Sequence, residues 1–506
     1  MLDVIIIGGG LGGLAAAIRL RQGGIDNLRV LERGVEVGGT WRDNVYPGCA
    51  CDVPSHLYSY AFEPNSSWSR PYPQQAEIQD YILHVTDKYQ LRPLIQLGAD
   101  VVVLRWLDNA SCWQVELRSG ELLQARHIVM ATGPLNKPLI PDLPGLSNFA
   151  GPSFHSSEWR NDVELAGKRI AVIGTGASAV QFVPDIAKKA ASVDVFQRTA
   201  AWVLPRWDAP YGPVRRWAYR HVPGLQRMSR WRIYWFNECV GMGFMGWEPM
   251  QNMLRKLALR HLHKQVPDAA LRASLTPNFA PGCKRLLLSN TWFPTLQQAH
   301  VKLHIEPVSR VTAQGVVGAS GNEYPCDVII WGTGFKATEL VTPMQVYGEA
   351  PTGGDSQEAP ELGALWRVQP PATRLGMTVA GFPNFYMLVG PHTGLGHNSI
   401  IFMIECQVNY IVQALRHVRR AGAAELHLRP AVAQADYASM QQAMQGTVWA
   451  SGCHSWYQNA KGEIDTLWPG YTWQYWLQSR RFNPADYRLE GRSTTSGSGD
   501  ESPAVA

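Results

Sequence analysis

The chain has 506 residues, of which 45% are hydrophobic and 17% are charged. This composition indicates a globular protein with a large core and two to four domains. With 46 Lys and Arg against 41 Asp and Glu, the formal charge is only +5, which gives no support for a nucleic-acid partner.

A β-α-β unit is predicted at the start of the chain. Asp3–Ile7 is an apolar run, Gly8–Gly13 forms a turn, and Leu14–Gln22 has helical composition before a second strand at Asn27–Glu32. The first run has neither a basic leader nor a cleavage site, so it is not predicted to be a signal peptide.

A second copy of this pattern begins at Lys168–Gly174 and continues through a helix to Ser192–Arg198. Two further predicted strands, His127–Gly133 and Asp327–Gly334, end in similar glycine turns. The fold class is therefore predicted to be α/β, with two dinucleotide-binding, Rossmann-like domains.

Between Pro210 and Pro281, Trp, Arg and Met recur at helical spacing, which predicts a helical insert in the second domain. The stretch that comes nearest to a membrane span begins at Trp231. It carries Arg232 and Glu238, so a packed helix is predicted, and no membrane span.

The eight cysteines do not follow the spacing of a disulfide framework. Cys49 and Cys51 are separated by one residue, whereas redox dithiols have two residues between the cysteines. The cysteines are expected to be reduced thiols in a cytosolic enzyme, and no metal site is predicted.

The first glycine loop has the pattern G-x-G-x-x-G at Gly8, Gly10 and Gly13. Glycines permit the tight turn and let a pyrophosphate approach the N-terminus of the next helix, where free N–H groups favour an anion. Glu32 follows 22 residues after Gly10, at the end of the second strand. A carboxylate there accepts the hydroxyls of an unphosphorylated ribose, so this loop is predicted to bind the ADP half of FAD.

The second loop has the pattern G-x-G-x-x-A at Gly174, Gly176 and Ala179, and Arg198 follows 22 residues after Gly176. A guanidinium at this position forms a charge-assisted contact with a 2′-phosphate, to which Thr199 can add a hydroxyl. The second domain is therefore predicted to bind NADPH in preference to NADH. Two such loops in one chain suggest hydride transfer from NADPH to a flavin.

The segment before the second loop matches F-x-G-x-x-x-H-x-x-x-W at Phe149, Gly151, His155 and Trp159. This pattern resembles the fingerprint of the class B flavin-dependent monooxygenases, and tryptophan in its last place resembles their Baeyer–Villiger branch. The resemblance covers nearly the whole chain. Its other motifs are GGTW from Gly38, YPGCACDVPSHLYSY from Tyr46, ATG from Ala131, CKR from Cys283, GTGF from Gly332 and GPHTGLGHNSIIFMIE from Gly390.

The closing segment SWYQNAKGEIDTLWPGYT, from Ser455, resembles one subgroup, the 4-hydroxyacetophenone monooxygenases and related aryl or steroid ketone oxygenases. Two positions depart from the family pattern. Arg160 follows Trp159 where Pro or Asp is usual, and Cys49 replaces an alanine.

The two loops and the resemblance together imply a division of the chain. Residues 1–148 are expected to form the first part of an FAD-binding domain, and residues 149–336 an NADPH-binding domain with a helical insert at about 210–281. Residues 337–491 are expected to form the second part of the FAD-binding domain, with the loops of the substrate pocket. The low-complexity residues 492–506 are predicted to be a disordered tail.

The resemblance implies a reaction that consumes NADPH and dioxygen and inserts one oxygen atom next to a ketone carbonyl, through a flavin peroxide, to give an ester or lactone. Arg285 matches the family's active-site arginine, whose permanent charge would stabilise an anionic peroxide and the developing oxyanion. Asp52 matches the aspartate expected to orient this arginine. Lys284 is expected to reach the 2′-phosphate, and His155 to position the link between the domains.

Each ligand has a set of expected contacts. For FAD these are Gly8, Gly10, Gly13, Glu32, Gly39, Thr40, Trp41, Asp52, Tyr58, Val101, Ala131, Asn398 and Ile400. For NADPH they are Gly174, Thr175, Gly176, Ala177, Ser178, Ala179, Gln181, Arg198, Thr199, Lys284 and Arg285. For the substrate pocket they are Trp456, Tyr457 and Trp468. Core packing is an equal expectation for these aromatic residues.

Three alternatives stay open at this point. A flavin-containing monooxygenase that oxygenates sulfur or nitrogen needs a protonated, electrophilic hydroperoxide, against which Trp159 and the Asp52–Arg285 pair argue. A disulfide reductase needs a vicinal dithiol beside the flavin, which C-x-C does not supply. A non-enzymatic redox sensor would not need Lys284 or Arg285.

The expected partners are a small-molecule ketone and dioxygen, without nucleic acid or a membrane span. The protein is expected to be a monomer or homodimer in the cytoplasm.

Overall fold

The computed structural model describes residues 1–350, 359–453, 455, 457–459 and 461–491. The strands in these residues are β1 (Leu2–Ile7), β2 (Leu28–Glu32), β3 (Ile95–Leu97), β4 (Val101–Leu107), β5 (Cys112–Leu117), β6 (Leu122–Met130), β7 (Ser153–His155), β8 (Arg169–Ile173), β9 (Ser192–Phe196), β10 (Val203–Leu204), β11 (Leu287–Leu288), β12 (Val301–His304), β13 (Val308–Val311), β14 (Gly315–Gly318), β15 (Glu323–Pro325), β16 (Val328–Trp331), β17 (Gln345–Tyr347), β18 (Phe385–Met387), β19 (Glu425–Leu428) and β20 (Tyr487–Glu490).

The helices are α1 (Leu11–Gln22), α2 (Thr40–Asp43), α3 (Gln75–Lys88), α4 (Ala179–Ile186), α5 (Pro213–His221), α6 (Leu225–Phe244), α7 (Glu248–Gln265), α8 (Ala269–Leu275), α9 (Trp292–Thr295), α10 (Leu362–Val368), α11 (Ile400–Ala421), α12 (Pro430–Met444) and α13 (Thr472–Ser479). Short 3₁₀ helices occupy Arg92–Leu94, Leu146–Asn148, Ser156–Glu158, Val448–Ala450 and Pro484–Asp486.

The first sheet contains the strand that precedes the first glycine loop. Its order is β17-β4-β5-β6-β1-β2-β3, and β18 also pairs with β6. β1 runs parallel to both β2 and β6, with Ile7 opposite Leu31 and Met130. Because these carboxyl ends are level, the turns that follow them meet at one edge of the sheet.

The second sheet is parallel throughout, in the order β12-β9-β8-β16-β7. Ile173 lies opposite Phe196 and Trp331, and Trp331 lies opposite His155. The second glycine loop therefore leaves the sheet beside the ends of β9, β16 and β7. The predicted α/β fold with two dinucleotide-type sheets is confirmed.

The predicted helix at Leu14 begins three residues earlier, at Leu11, with Gly10 as the residue before its first turn. The glycine turn is thus part of the helix start, which brings the N-terminal N–H groups of α1 directly to the loop.

Helices α5 to α8 lie within the range predicted for the insert. The prediction of a packed helix from Trp231 is only partly right for α6. Trp231, Trp235 and Phe236 are exposed, which contradicts it. Glu238 and Gly241, nearer the C-terminus of the helix, are buried, as predicted. None of the helices in the described part of the chain is long and apolar enough to cross a bilayer.

The division of the chain at 148/149 and 336/337 stays a prediction. The predicted disordered tail, 492–506, lies outside the described residues.

A buried ion-pair cluster joins β19 and β20. His427 hydrogen bonds to Glu425 at 2.7 Å, and carboxylate oxygens of Glu349 and Glu490 lie 3.5 and 3.8 Å from its ring nitrogens. We assign these contacts to an ion-pair cluster, because the imidazole bonds directly to the Glu425 carboxylate. Burial opposes protonation of His427, but the bond to Glu425 and the surrounding carboxylates raise its pKa above the ordinary 6.5.

We therefore expect the stability contributed by His427 to be fully present below pH 6.5 and to be lost as the pH rises through the raised value. The variant His427→Gln should melt below the wild type by about 1–2 °C at about pH 6, and by less at about pH 8.5. Thermal unfolding at the two pH values measures this. His263→Gln, at an exposed helical position, is the matched control. A gap that widens with pH would contradict the assignment.

Candidate active site

One cavity of about 1020 Å³ lies where the two glycine loops face each other. Gly8 and Gly10 line one side, and Gly174 and Gly176 line the other. The strands that precede the two glycine loops, β1 and β8, therefore point their carboxyl ends at the same space. Open α/β sheets bind their ligands at such carboxyl ends.

The first loop leaves room for an anion at the start of α1. Gly8 has φ +108°, and a Cβ there would come within 2.5 Å of the Ala131 carbonyl oxygen. A Cβ on Gly13 would overlap the Gly8 carbonyl oxygen. The first turn of α1 has no acidic residue and no side-chain cap, so its N–H groups face the cavity as a dinucleotide pyrophosphate requires.

Glu32 lines this cavity and holds the loop in shape. Its carboxylate accepts the N–H groups of Gly9 and Gly34, each at 2.7 Å, and an Arg42 N–H at 2.6 Å. Arg42 also lines the cavity, and the sequence patterns did not identify it. A carboxylate fixed at the end of β2 fits an unphosphorylated ribose.

The second loop has the same backbone geometry and the opposite charge. Gly174 has φ +107°, and a Cβ there would overlap the Gly332 carbonyl oxygen. Arg198 and Lys284 both line the cavity at this end. Burial and the nearby charge of Arg198 lower the pKa of Lys284, so two cationic groups lie close together. Such a pair fits the 2′-phosphate of NADPH.

Asp52 and Arg285 meet inside the cavity as a bidentate ion pair. Arg285 Nε donates to Asp52 Oδ2 at 2.7 Å, and Nη2 donates to Oδ1 at 2.6 Å. Burial would raise the pKa of Asp52, but the Arg285 guanidinium holds it below its usual range. The charge of Asp52 likewise raises the pKa of Arg285. Both groups therefore stay ionised at neutral pH.

Aromatic and amide side chains complete the wall beside this pair. The Trp41 indole N–H donates to the Tyr58 hydroxyl at 3.0 Å, and their rings meet edge to face. Both residues line the cavity, as do Asn398 and Ile400 at the start of α11.

The carboxylate of Glu238, which the sequence patterns singled out only as a charge within a helix, fixes Asn398 in place. It accepts the Asn398 amide at 2.5 Å, and the Thr472 hydroxyl and N–H at 2.6 and 3.1 Å. Burial opposes ionisation of Glu238, yet His397 and these donors lower its pKa. The insert thereby places a buried anion behind Asn398, which lines the cavity.

Most of the predicted cofactor contacts line the cavity. They are Gly8, Gly10, Glu32, Gly39, Thr40, Trp41, Asp52, Tyr58, Val101, Ala131, Asn398, Ile400, Gly174, Thr175, Gly176, Ala177, Ser178, Gln181, Arg198, Thr199, Lys284 and Arg285. Gly13 and Ala179 do not line it but lie beneath the loops, where Gly13 faces Gly8 and the Ala179 methyl packs on Gly332.

Gln181 also joins the two sides of the cavity. Its amide donates to the Ala50 carbonyl at 3.0 Å, and its oxygen accepts the Tyr46 hydroxyl at 3.0 Å. The fingerprint residue Trp159 adds an apolar link, because its ring packs against Tyr46 and Phe182. The sequence predicted a nucleotide contact for Gln181 and gave no sign of this second role.

The other fingerprint residues are explained by packing. A Cβ on Gly151 would overlap the Asp327 carbonyl oxygen, and Phe149 packs beside it. His155 is fully buried, its Nδ1 hydrogen bonds to the Ser157 hydroxyl at 2.8 Å, and burial lowers its pKa to about 4. None of these three lines the cavity, which agrees with a positioning role for His155.

Arg160, the departure from the family pattern, forms a local surface pair with Asp162 at 2.8 Å. Its charge is therefore compensated two residues further on, within the linker itself.

The predicted substrate-pocket residues that the structure describes do not line this cavity. Trp456 is outside the described residues. Tyr457 is 1% exposed and Trp468 is 4% exposed, and neither lines the cavity. Trp468 packs on Tyr475 and donates to the Tyr471 carbonyl at 3.0 Å, so its environment is core packing. Tyr457 is close enough to Arg285 for the guanidinium to oppose the rise in its pKa, which burial brings to about 12.

The prediction that all cysteines are reduced is wrong for Cys283 and Cys453, which form a disulfide. The two cysteines are 170 residues apart, so spacing rules did not predict the pairing, and the bond ties the Lys284–Arg285 segment to the C-terminal loops.

Cys49 and Cys51 are free and buried. Burial raises the pKa of Cys49 to about 11 and that of Cys51 well above its ordinary value, so neither is a reactive thiolate.

Comparisons with known proteins agree with this geometry. A family model described as pyridine nucleotide-disulphide oxidoreductase matches residues 5–221. A Baeyer-Villiger monooxygenase of Pseudomonas aeruginosa is 40% identical over 488 residues, which covers 96% of this chain and 91% of that protein. Another, from Streptomyces coelicolor, is 42% identical over 488 residues, covering 96% of this chain and 92% of that protein.

Two solved structures are similar over nearly the whole chain. A structure of OTEMO in complex with FAD and NADP has a TM-score of 0.84 and 25% identity, covering 97% of this chain and 99% of that one. A structure of oxidised steroid monooxygenase bound to NADP has a TM-score of 0.82 and 27% identity, covering 96% of this chain and 99% of that one. By fold, cavity and relatives of this identity and coverage, the chain belongs to the Baeyer–Villiger monooxygenase family.

Proposed function

We propose that the protein is an FAD-dependent, NADPH-consuming Baeyer–Villiger monooxygenase, which inserts one oxygen atom of dioxygen next to a ketone carbonyl to give an ester or lactone. The observation that carries the proposal is the bidentate Asp52–Arg285 pair in a cavity shared by both glycine loops. The relatives and the bound cofactors of the similar structures support the same function.

The two nucleotide sites fit their cofactors on the features of this chain. The α1 N-terminus and Glu32 suit the ADP half of FAD, and Arg198 with Lys284 suits NADPH. When bound, NADPH supplies hydride and the reduced flavin supplies the activation of dioxygen.

Arg285 would supply a fixed positive charge inside the cavity. A guanidinium stays protonated in proteins, so it stabilises negative charge on oxygen without giving up a proton. The carboxylate of Asp52 holds the plane of the guanidinium through two bonds. Trp41, Tyr58 and Asn398 would hold the flavin face of the cavity and exclude water from it.

The substrate is proposed to be a small-molecule ketone, and the protein to act as a monomer or homodimer. A cytoplasmic location is supported by the use of NADPH and by the six free cysteines in the described residues. The Cys283–Cys453 disulfide is an exception to the usual state of thiols in that compartment.

The direct test is to incubate the purified yellow protein with NADPH and oxygen-18 gas against aryl, cyclic and long-chain ketones and one aryl sulfide, and to read the products by mass spectrometry. An ester or lactone with one labelled oxygen would establish the proposed reaction. Labelled sulfoxide without ester from any ketone would assign heteroatom oxygenation instead.

Arg285→Met should lower the rate of ester formation by roughly 10²–10³-fold, because the fixed cation is lost while the side chain keeps a similar volume. The yield of ester per NADPH consumed measures this, with flavin absorbance to confirm that FAD is still bound. Arg310→Gln, on the exposed edge of β13, is the matched control. Wild-type ester yield in Arg285→Met would remove Arg285 from the reaction.

Arg198→Gln should raise KM for NADPH by roughly 10–100-fold, because one charge-assisted contact to the 2′-phosphate is lost. KM for NADH should stay the same, since that cofactor has no such phosphate. Steady-state NADPH and NADH oxidation gives both values. An equal rise for the two cofactors would show that Arg198 shapes the loop and does not read the phosphate.

A further inference from the structure

The insert carries several exposed apolar side chains together with arginines, and we name this surface the aromatic–arginine face. It is formed by α5 and the N-terminal part of α6. Trp231 is 64% exposed and Phe236 is 62% exposed. The exposed large apolar side chains of the face are Val214, Trp217, Val222, Met228, Trp231, Trp235 and Phe236. Exposed patches of this kind mark interaction sites in folded proteins.

The charge of this face is of one sign. Between Asp208 and Glu238 the sequence has six arginines and no acidic residue, in a chain whose whole formal charge is +5. Arg216, Arg227 and Arg232 are exposed, and within the described residues they have no acidic partner. The face is therefore a local concentration of uncompensated positive charge.

The inner side of α6 is held by polar contacts, so the helix cannot turn its aromatic side inward. Arg230 donates to the carbonyl oxygens of His56, Leu57 and Ser59 at 2.7–3.1 Å. Further along the helix, Tyr234 bonds to the Thr472 hydroxyl at 2.9 Å, and Glu238 bonds to the same residue. These inward residues recur every four positions, and Trp231 and Trp235 each follow one of them, about 100° further round the helix, where they are exposed.

A second exposed apolar surface lies on α13, whose first residue contacts α6. Trp473, Trp476 and Leu477 lie three and four residues apart on α13, which puts them on one side of that helix. Thr472, at the start of α13, is the residue that bonds to Tyr234 and Glu238. The guanidinium of Arg480 lies 5.0 Å from the ring of Trp476, so the pairing of arginine with tryptophan is repeated here.

We propose that the aromatic–arginine face binds the surface of a lipid bilayer that contains anionic lipids. Tryptophan and phenylalanine beside arginine on an amphipathic helix are the composition of helices that lie in a membrane interface, with the rings among the acyl chains and the guanidinium groups at the phosphates. The loop that Arg230 holds carries Tyr58, which lines the cavity. The bilayer surface would thus lie about one helix diameter, ~10 Å, from the cavity wall.

A second copy of the chain fits this face less well. In a symmetric dimer the same patch contacts itself, which would bring the uncompensated arginines of one protomer close to those of the other. Anionic headgroups neutralise these charges, and an isologous contact does not.

The test is sedimentation of the full-length, FAD-loaded protein with vesicles of phosphatidylcholine mixed with phosphatidylglycerol, and with vesicles of phosphatidylcholine alone. We expect the protein to pellet with the mixed vesicles, and to be released as salt screens the charges. A sample without vesicles serves as the control for pelleting by aggregation.

The double variant Trp231→Ala with Phe236→Ala should weaken vesicle binding by roughly tenfold. Arg227→Gln with Arg232→Gln should weaken it by about fivefold for each arginine.

Leu122→Ala and Arg310→Gln are the matched controls, because they remove an exposed apolar and an exposed basic side chain elsewhere. Flavin absorbance and circular dichroism confirm that each variant is folded. Failure of the wild type to bind mixed vesicles at low salt would overturn the proposal, as would equal binding by the face variants and the controls. A dimer seen by light scattering, lost in Trp231→Ala with Phe236→Ala and unaffected by vesicles, would assign the face to a second copy.

Discussion

The ion pair between Asp52 and Arg285 joins two segments that are 233 residues apart in the chain. Its two bonds form only if both sides of the cavity are held in one relative position. Gln181, Tyr46 and Trp159 supply that positioning, through an amide that bonds across the cavity and through rings packed beneath it. The fixed cation, the core of the proposed chemistry, therefore depends on contacts that touch no reacting atom.

The two glycine loops have nearly the same backbone and opposite electrostatic surroundings. At the first, Glu32 closes the end of β2 with a carboxylate; at the second, Arg198 and Lys284 present two positive groups. The carboxylate of Glu32 offers no donor to a 2′-phosphate, whereas Arg198 and Lys284 offer two cationic ones. In the proposed assignment, these side chains, and not the shape of the loops, distinguish the two nucleotides.

Local sequence patterns predicted the parts of the site that lie within one β-α-β unit. Glycine spacing and the charge 22 residues further on are set by one strand, one turn and one helix, and both Glu32 and Arg198, predicted in this way as cofactor contacts, line the cavity. Contacts between distant segments gave no such signal. Arg42, the disulfide of Cys283 with Cys453, and the packing of Trp468 depend on which segments meet after folding, and their own neighbours in sequence do not encode that.

Helix α6 shows why composition alone did not predict its environment. The run with Trp, Phe and Met predicted a packed helix, but Arg230, Tyr234 and Glu238 form its inward side because they satisfy carbonyl, hydroxyl and amide groups of neighbouring segments. Buried polar groups need such partners, and a helix can present only one side to them. Once that side faces inward, Trp231, Trp235 and Phe236, which lie roughly 60° or more round the helix from Tyr234, remain outside it. The exposure of Trp231, Trp235 and Phe236 is thus a consequence of the polar contacts that help to build the cavity wall.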